Sequence, residues 1–249
     1  MRFSTLSRKR KAIKRALQNT PAVASYAEFI ASKTIPIWHR FNEAAASGVA
    51  ANSGSAGASF NIDASPASFL QGATGILGAQ EAIQTTIVQS DYLFSAAGVS
   101  QRFTQFSWAR LLYLPSGGSA STSGFGGSNG SIEATMGSTG ETGLTVFLDN
   151  GNFIILSSVS TLPRNEYFWL FMRLAGTSAS IKWTHNNALV TTAYSTNTNT
   201  LTGSGGVDLE YAYLQQEVVG AKIDESILSS DLWSDEDCLL LAQLTGVVV

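Results

Sequence analysis

Past Ile37 the apolar positions of the chain recur with a period of two, and turn residues separate one alternating run from the next. From Gln101 to Leu114, Phe106, Trp108, Leu112 and Leu114 share one face of a predicted strand. Tyr167 to Met172 is apolar on both faces, which predicts a strand in the middle of a sheet covered on both sides. Asp149-Asn150-Gly151 tolerates positive φ and predicts a hairpin over Leu144 to Ser157; His185-Asn186-Asn187 predicts a second one, joining Ser180–Thr184 to Ala188–Ala193. Val207, Leu209, Tyr211 and Tyr213 alternate against Asp208, Glu210 and Ala212. Near the end Ala221, Ile223, Glu225 and Ile227 share one parity, opposite Lys222, Asp224 and Ser226, so Glu225 is expected to point inward and to need hydrogen-bond partners. Ser234 then predicts a helix N-cap, with Asp237 at the capping-box position and Asp235 and Glu236 at the positive helix end. Strand following strand argues for an all-β fold of two antiparallel sheets packed face to face, with Greek-key crossings. The Gly, Ser, Thr and Asn tracts Ser116–Gly130 and Ser195–Gly206 are expected to be flexible loops.

Before Ile37 the period is helical. Arg8, Lys9, Arg10, Lys11, Lys14 and Arg15 surround a narrow apolar stripe of Ile13, Ala16 and Leu17, a helix expected to order only against a partner. Thr20-Pro21 predicts the start of a second helix reaching about Ser32, with Val23, Tyr26, Ala27 and Ile30 on its buried stripe. The expected division is a basic, partly helical arm over 1–34 and a sandwich over 35–249.

Charge sharpens that division. Residues 1–40 carry a balance of +8 and the remainder −11, within a net −3. Charged residues make up 13% of the 249, about half the roughly 25% usual in soluble domains. Such a weakly charged surface suits a protein in an assembly or outside the cell. The lone Cys238, with only His39 and His185, cannot form an intrachain disulfide or a zinc site. Nothing approaches the length of a membrane span, and the basic start is not followed by the apolar run of a secretory signal.

Trp38-His39-Arg40-Phe41-Asn42-Glu43 with the following Ser47-Gly48 and Asn52-Ser53-Gly54 resembles the opening strand and turn of laminin-G-like, concanavalin A-like jelly rolls. Phe103 to Trp108 is similar to their early core strand, and Ile181 to Val190 to their late hairpin, with Asn187 where glycine is usual. Ile223-Asp224-Glu225 followed by Leu232 to Asp237 resembles their closing strand and terminal helix. The resemblance implies an antiparallel two-sheet jelly-roll sandwich with a short C-terminal helix, and structural roles for Trp38, Glu43, Asp224, Glu225 and Ser234. Together with the composition and the arm, it resembles accessory structural proteins of tailed-phage virions. That setting implies location in the virion, docking on other virion proteins through Arg8, Lys9, Arg10, Lys11, Lys14 and Arg15, and a homo-oligomer, although no heptad run marks one. The alternative is a secreted or cell-surface carbohydrate-binding module.

Candidate chemistry points away from an enzyme. Asp208 and Glu210 are the nearest approach to the paired carboxylates of a glycosidase, the weaker alternative, and their alternation with apolar residues reads as the solvent face of a strand. Neither histidine has a nucleophile elbow to serve, and Gly124-Phe125-Gly126-Gly127 lacks the strand and Lys-Ser/Thr of a phosphate loop. Glycan contacts are expected from edge loops, with His185, Asn186, Asn187, Asn197 and Asn199 as the candidates. Calcium could join such a site, though no cluster calls for it, and no cofactor is expected. Nucleic acid is disfavoured as a partner because only Phe3 accompanies the basic run.

Overall fold

The structure is a computed structural model of the chain. It describes residues 25–43, 48–63, 69–77, 82–85, 92–94, 99–116, 121–136, 141–151, 153–158, 161–175, 178–185, 188–191, 194–198, 206–216 and 220–247. Two compact units divide it, Met1–Lys33 and Thr34–Val249. In the first, helix α1 (Tyr26–Ala31) begins where the Ser25 hydroxyl accepts from the Glu28 amide at 3.3 Å. Ser25 is extended, so α1 starts after it; its buried residues are Phe29 and Ile30, while Ala27 is exposed. The six basic arm residues and Thr20-Pro21 lie outside the described residues.

Strands of the second unit are numbered in chain order, and every pairing among the described strands is antiparallel. One sheet runs β15 (Ala188–Thr191), β14 (Ser178–His185), β13 (Tyr167–Ala175), β8 (Gln105–Tyr113), β19 (Lys222–Ser229), β5 (Ala82–Thr85) and β4 (Phe69–Ala73), with β1 (Ile37–His39) also paired to β19. The other runs β16 (Tyr194–Thr198), β12 (Phe153–Ser158), β11 (Thr142–Phe147), β10 (Gly130–Met136), β9 (Ser121–Gly127), β18 (Tyr211–Gln216) and β6 (Tyr92–Phe94). Two small ribbons complete the set, β17 (Val207–Leu209) with β7 (Gln101–Phe103) and β2 (Val49–Ala50) with β3 (Ile62–Asp63).

Alternation explains the core. Trp108 and Leu112 of β8 and Phe168, Leu170 and Met172 of β13 face Phe125, Ile132, Leu144, Val146 and Leu156 of the other sheet in one buried cluster. Removing this apolar area from water is the main force closing the sandwich. The doubly apolar β13 lies between β8 and β14, and its outward residues Trp169 and Phe171 are as buried as its inward ones. Helix α2 (Asp235–Leu244) accounts for part of that cover. Its Ser234–Asp237 capping box is complete, Cys238, Leu241 and Ala242 are buried, and the Trp169 indole donates to Thr245 Oγ1 at 2.8 Å just past its end. Asp235 anchors the helix start, meeting Arg173 and Lys182 at 2.6 Å each.

Three local departures from simple alternation shape the molecule. The expected strand Gln101–Leu114 breaks at Thr104, so that β7 leaves β8 to pair with β17. The Gly- and Ser-rich tract expected as a loop carries β9, a full strand paired on both edges. On β19, Ile223 stands opposite Leu112 and Glu225 opposite Leu111, so Asp224 is an extra residue in a bulge. The bulge inverts the parity read from the sequence: Ile223 and Leu228 face the inter-sheet core, Ser226 turns inward with Leu228, and Glu225 and Ile227 sit on the outer face. Glu225 is 1% exposed there, where it accepts the Trp38 indole N–H and lies 3.8 Å from Arg40 Nε. Asp224 accepts the Ile76 amide at 2.6 Å. Glu43 accepts the Ala51 amide at 2.7 Å.

Candidate functional site

The outward face of the second sheet brings aromatic, hydroxyl and carboxylate side chains together. Strand β9 is Ser-Thr-Ser-Gly-Phe-Gly-Gly, and its inward positions include Ser123 and Phe125. Its outward positions include Gly124 and Gly126, which leave bare backbone on that face. The partner strand β18 fills it: Tyr211 pairs with Gly126 and Tyr213 with Gly124. A Cβ at Gly126 would stand 2.5 Å from the Tyr211 hydroxyl oxygen, and one at Gly124 would stand 2.9 Å from that of Tyr213, so both rings lie across the glycines. This arrangement lets a glycine-rich strand exist, because the tyrosines supply the cover its own side chains lack.

Register carries the face across the sheet in two rows. Tyr211, Gly126, Ser131, Phe147 and Phe153 form one; Tyr213, Gly124, Glu133, Thr145 and Ile155 form the other. The tyrosine ring centres are 6.3 Å apart and those of Phe147 and Phe153 are 6.2 Å apart, both pairs tilted. Phe147 is 45% exposed, an uncommon state for so large an apolar ring. Glu133 accepts from the Ser131 hydroxyl at 3.4 Å, and at the rim Glu210 accepts from the Ser128 hydroxyl at 2.6 Å. Half-buried aromatic rings beside hydroxyls and carboxylates are the materials of a saccharide site. The rings offer flat apolar faces, and the oxygens accept from hydroxyl donors.

The sequence-predicted glycan residues are placed unevenly. His185 is exposed at the end of β14, its ring 5.4 Å from that of Trp183. Asn186, Asn187 and Asn199 lie outside the described residues. The backbone of Asn197 pairs with Ile155 and so stands in the Tyr213 row, five strand spacings away, about 24 Å. His185 and Asn197 belong to different sheets. The tyrosines escaped the sequence reading because a single alternation from Val207 to Tyr213 puts them on the core face. In the structure β17 ends at Leu209, Glu210 lies between the strands, and inward positions resume at Ala212 and Leu214. A usable signal was present: two glycines two apart, and two tyrosines two apart.

The same break separates the candidate acid pair. Asp208 is held by Arg102 Nη1 at 2.9 Å, while Arg102 Nη2 reaches Asp149 at 2.7 Å. Hydrogen bonding to Arg102, then to the Gly206 amide, holds the Asp149 carboxyl below its usual range. Glu210 instead faces Ser128. These two acids therefore have different partners. A groove of about 410 Å³ lined by Arg173, Ala179, Ser180, Leu232, Trp233 and Ser234 opens on the other sheet. Its guanidinium is committed, Nε to Ser180, Nη1 to the Trp233 carbonyl and Nη2 to Asp235, and Trp233 is buried, so it offers neither a charge nor a ring face. Among the described residues no group of three or more His, Cys, Asp or Glu could hold a metal ion, and no helix is long and apolar enough to cross a membrane.

No protein-family model matches the chain. No curated protein matches it by sequence. Solved structures do share its fold. The ligand-binding domain of botulinum neurotoxin serotype D, in complex with N-acetylneuraminic acid, superposes with a TM-score of 0.56 at 12% identity, over 86% of this chain and 52% of that one. The serotype G binding domain gives 0.58 at 9% identity, over 86% and 51%. A Trypanosoma rangeli sialidase in complex with sialic acid gives 0.50 at 8% identity, over 84% and 33%. The chain thus spans about half the length of the binding-domain structures it matches. At these identities the likeness is one of fold: this chain is an antiparallel β-sandwich.

Proposed function

We propose that this chain is a non-catalytic recognition module, in which the outward face of the second sheet contacts glycans and residues 1–34 hold the sandwich on a larger particle. The observation that carries the reading is the pair Tyr211 and Tyr213, laid across Gly126 and Gly124 beside Ser131 and Glu133. Lectin-like neighbours, some solved with a bound sialic acid, support a saccharide as the ligand class. The charge of this face favours a neutral saccharide. Glu133 and Glu210 accept from sugar hydroxyls and repel a sugar carboxylate.

The particle in this reading is a tailed-phage virion. Its support is the resemblance to virion accessory proteins, the weakly charged body and the contrast of +8 against −11 between residues 1–40 and the remainder of the chain. Docking through Arg8, Lys9, Arg10, Lys11, Lys14 and Arg15 against an acidic virion surface follows from that contrast.

A glycan array probed with the full chain tests the recognition face. Neutral oligosaccharides are expected to be retained in preference to sialylated ones, and Tyr211→Ala with Tyr213→Ala to abolish retention. Retention unchanged by the double substitution would remove this face from the reading. Deleting residues 1–33 is expected to leave retention intact and to abolish incorporation into the particle.

A further inference from the structure

Strand β8 carries one charged side chain into the space between the sheets. Arg110 alternates with Trp108 and Leu112 on the inward face, stands opposite Leu170 and Ser226, and is 1% exposed. Its guanidinium carbon lies 5.1 Å from the centre of the Trp108 ring, which satisfies one face of the group but none of its donors. Its Nε and Nη1 meet no acceptor among the described residues. Across the gap on β9, the buried Ser123 hydroxyl also has no partner among them. A cavity of about 20 Å³ lies between, and its wall includes Arg110, Ser123, Ser226, His39 and Tyr213.

None of the wall residues neutralises the arginine. The Asp224 carboxylate turns to the Ile76 amide, and Glu225 sits on the other face of β19 with Trp38 and Arg40. Burial holds the His39 pKa down at about 4, so its ring is neutral and Nε2 donates to the Phe60 carbonyl at 2.7 Å. Burial lowers the Arg110 guanidinium to about 9, which still leaves it charged at neutral pH. A buried cation with unmet donors and no counter-charge is among the costliest arrangements in a core. One water would meet a donor and leave the charge. An anion meets both needs.

We propose that the cavity between the sheets is a binding site for one small monovalent anion of the chloride class, held by one of the unmet N–H groups of Arg110 and the hydroxyls of Ser123 and Ser226. The Ser226 oxygen accepts from the Trp108 indole at 3.1 Å, which leaves its own hydrogen to donate. Volume sets the ligand class: about 20 Å³ admits a single water-sized particle and excludes phosphate, sulfate and carboxylates.

Crystals of the full chain grown with bromide in place of chloride supply the deciding observation. An anomalous peak in the cavity within hydrogen-bond distance of Arg110 Nε or Nη1 is expected, and density without anomalous signal there overturns the proposal. In solution, melting is expected at a higher temperature in chloride than in gluconate at equal ionic strength, because gluconate cannot enter. Arg110→Leu should erase that difference. If this variant does not fold, Ser123→Ala, which keeps the charge, is expected to shrink the difference, and an undiminished one counts against the site.

Discussion

The Trp38 indole donates its N–H to the Glu225 carboxylate on the outer face of the first sheet, where β1 meets β19. Glu225 reaches that face only because the bulge at Asp224 turns it away from the inter-sheet core. Arg40, 3.8 Å away and with its guanidinium 5.2 Å from the Trp38 ring centre, completes a group that ties the first strand of the sandwich to its last.

Replacing Glu225 with Ala removes the carboxylate that accepts from the half-buried Trp38 indole N–H. The expected loss is about 1 to 3 kcal/mol, read as a lower midpoint in chemical denaturation with unchanged slope. Glu225→Gln keeps an acceptor for the indole and is expected to lose less. An alanine variant as stable as the parent would show that the tie contributes nothing.

His39 predicts a pH dependence. Burial depresses its pKa from 6.5 to about 4 in the folded chain, with the bond to the Phe60 carbonyl opposing this shift. The unfolded chain therefore binds the proton more readily. Its contribution is fully present above pH 6.5, is lost as pH falls toward 4, and amounts to about 3 kcal/mol. His39→Gln should flatten stability against pH across that window, and a slope equal to the parent's would assign the acid sensitivity to carboxylates alone.

Gly126→Ala tests whether the tyrosine face depends on bare backbone beneath it. The added Cβ would come within 2.5 Å of the Tyr211 hydroxyl oxygen, so the ring must lift from the strand. Weakened saccharide retention on the array is expected, with the fold preserved by circular dichroism. Full retention would mean that the position of Tyr211 does not matter to binding.

Cys238 is buried in α2, and burial pushes its thiol up to about 12. Aromatic disulfide reagents need a thiolate in reach. The folded chain is expected to react at the rate of unfolding, and denatured chain at once; stoichiometric reaction within the mixing time of native protein would place the thiol at the surface.

Different parts of this molecule were legible in the sequence for different physical reasons. The capping box of α2 could be read from Ser234 and Asp237 because cap geometry is local to one turn. The hairpin at Asp149-Asn150-Gly151 is equally local, and Gly151 adopts the left-handed φ of +79° that the turn demands. The face of Glu225 was not legible, because a bulge is decided by how β8 and β19 align and leaves no composition cue on β19 alone. The candidate site was missed for a related reason. A Gly-Ser tract has the composition of a loop, and pairing with β10 on one edge and with Tyr211 and Tyr213 of β18, more than eighty residues later, on the other makes it a strand.

Period-two alternation and turn chemistry by themselves determined an antiparallel sandwich closed by a capped helix, because those patterns depend on residues within a few positions of one another. Tertiary structure decided which residues share a face. The bulge at Asp224, the break at Glu210 and the glycines under the tyrosines each invert or replace a local pattern through a partner distant in the chain. Arg110 shows the same limit. Its alternation with Trp108 and Leu112 puts it on the inward face, but only the packing of the second sheet encloses its charge and leaves a cavity beside it.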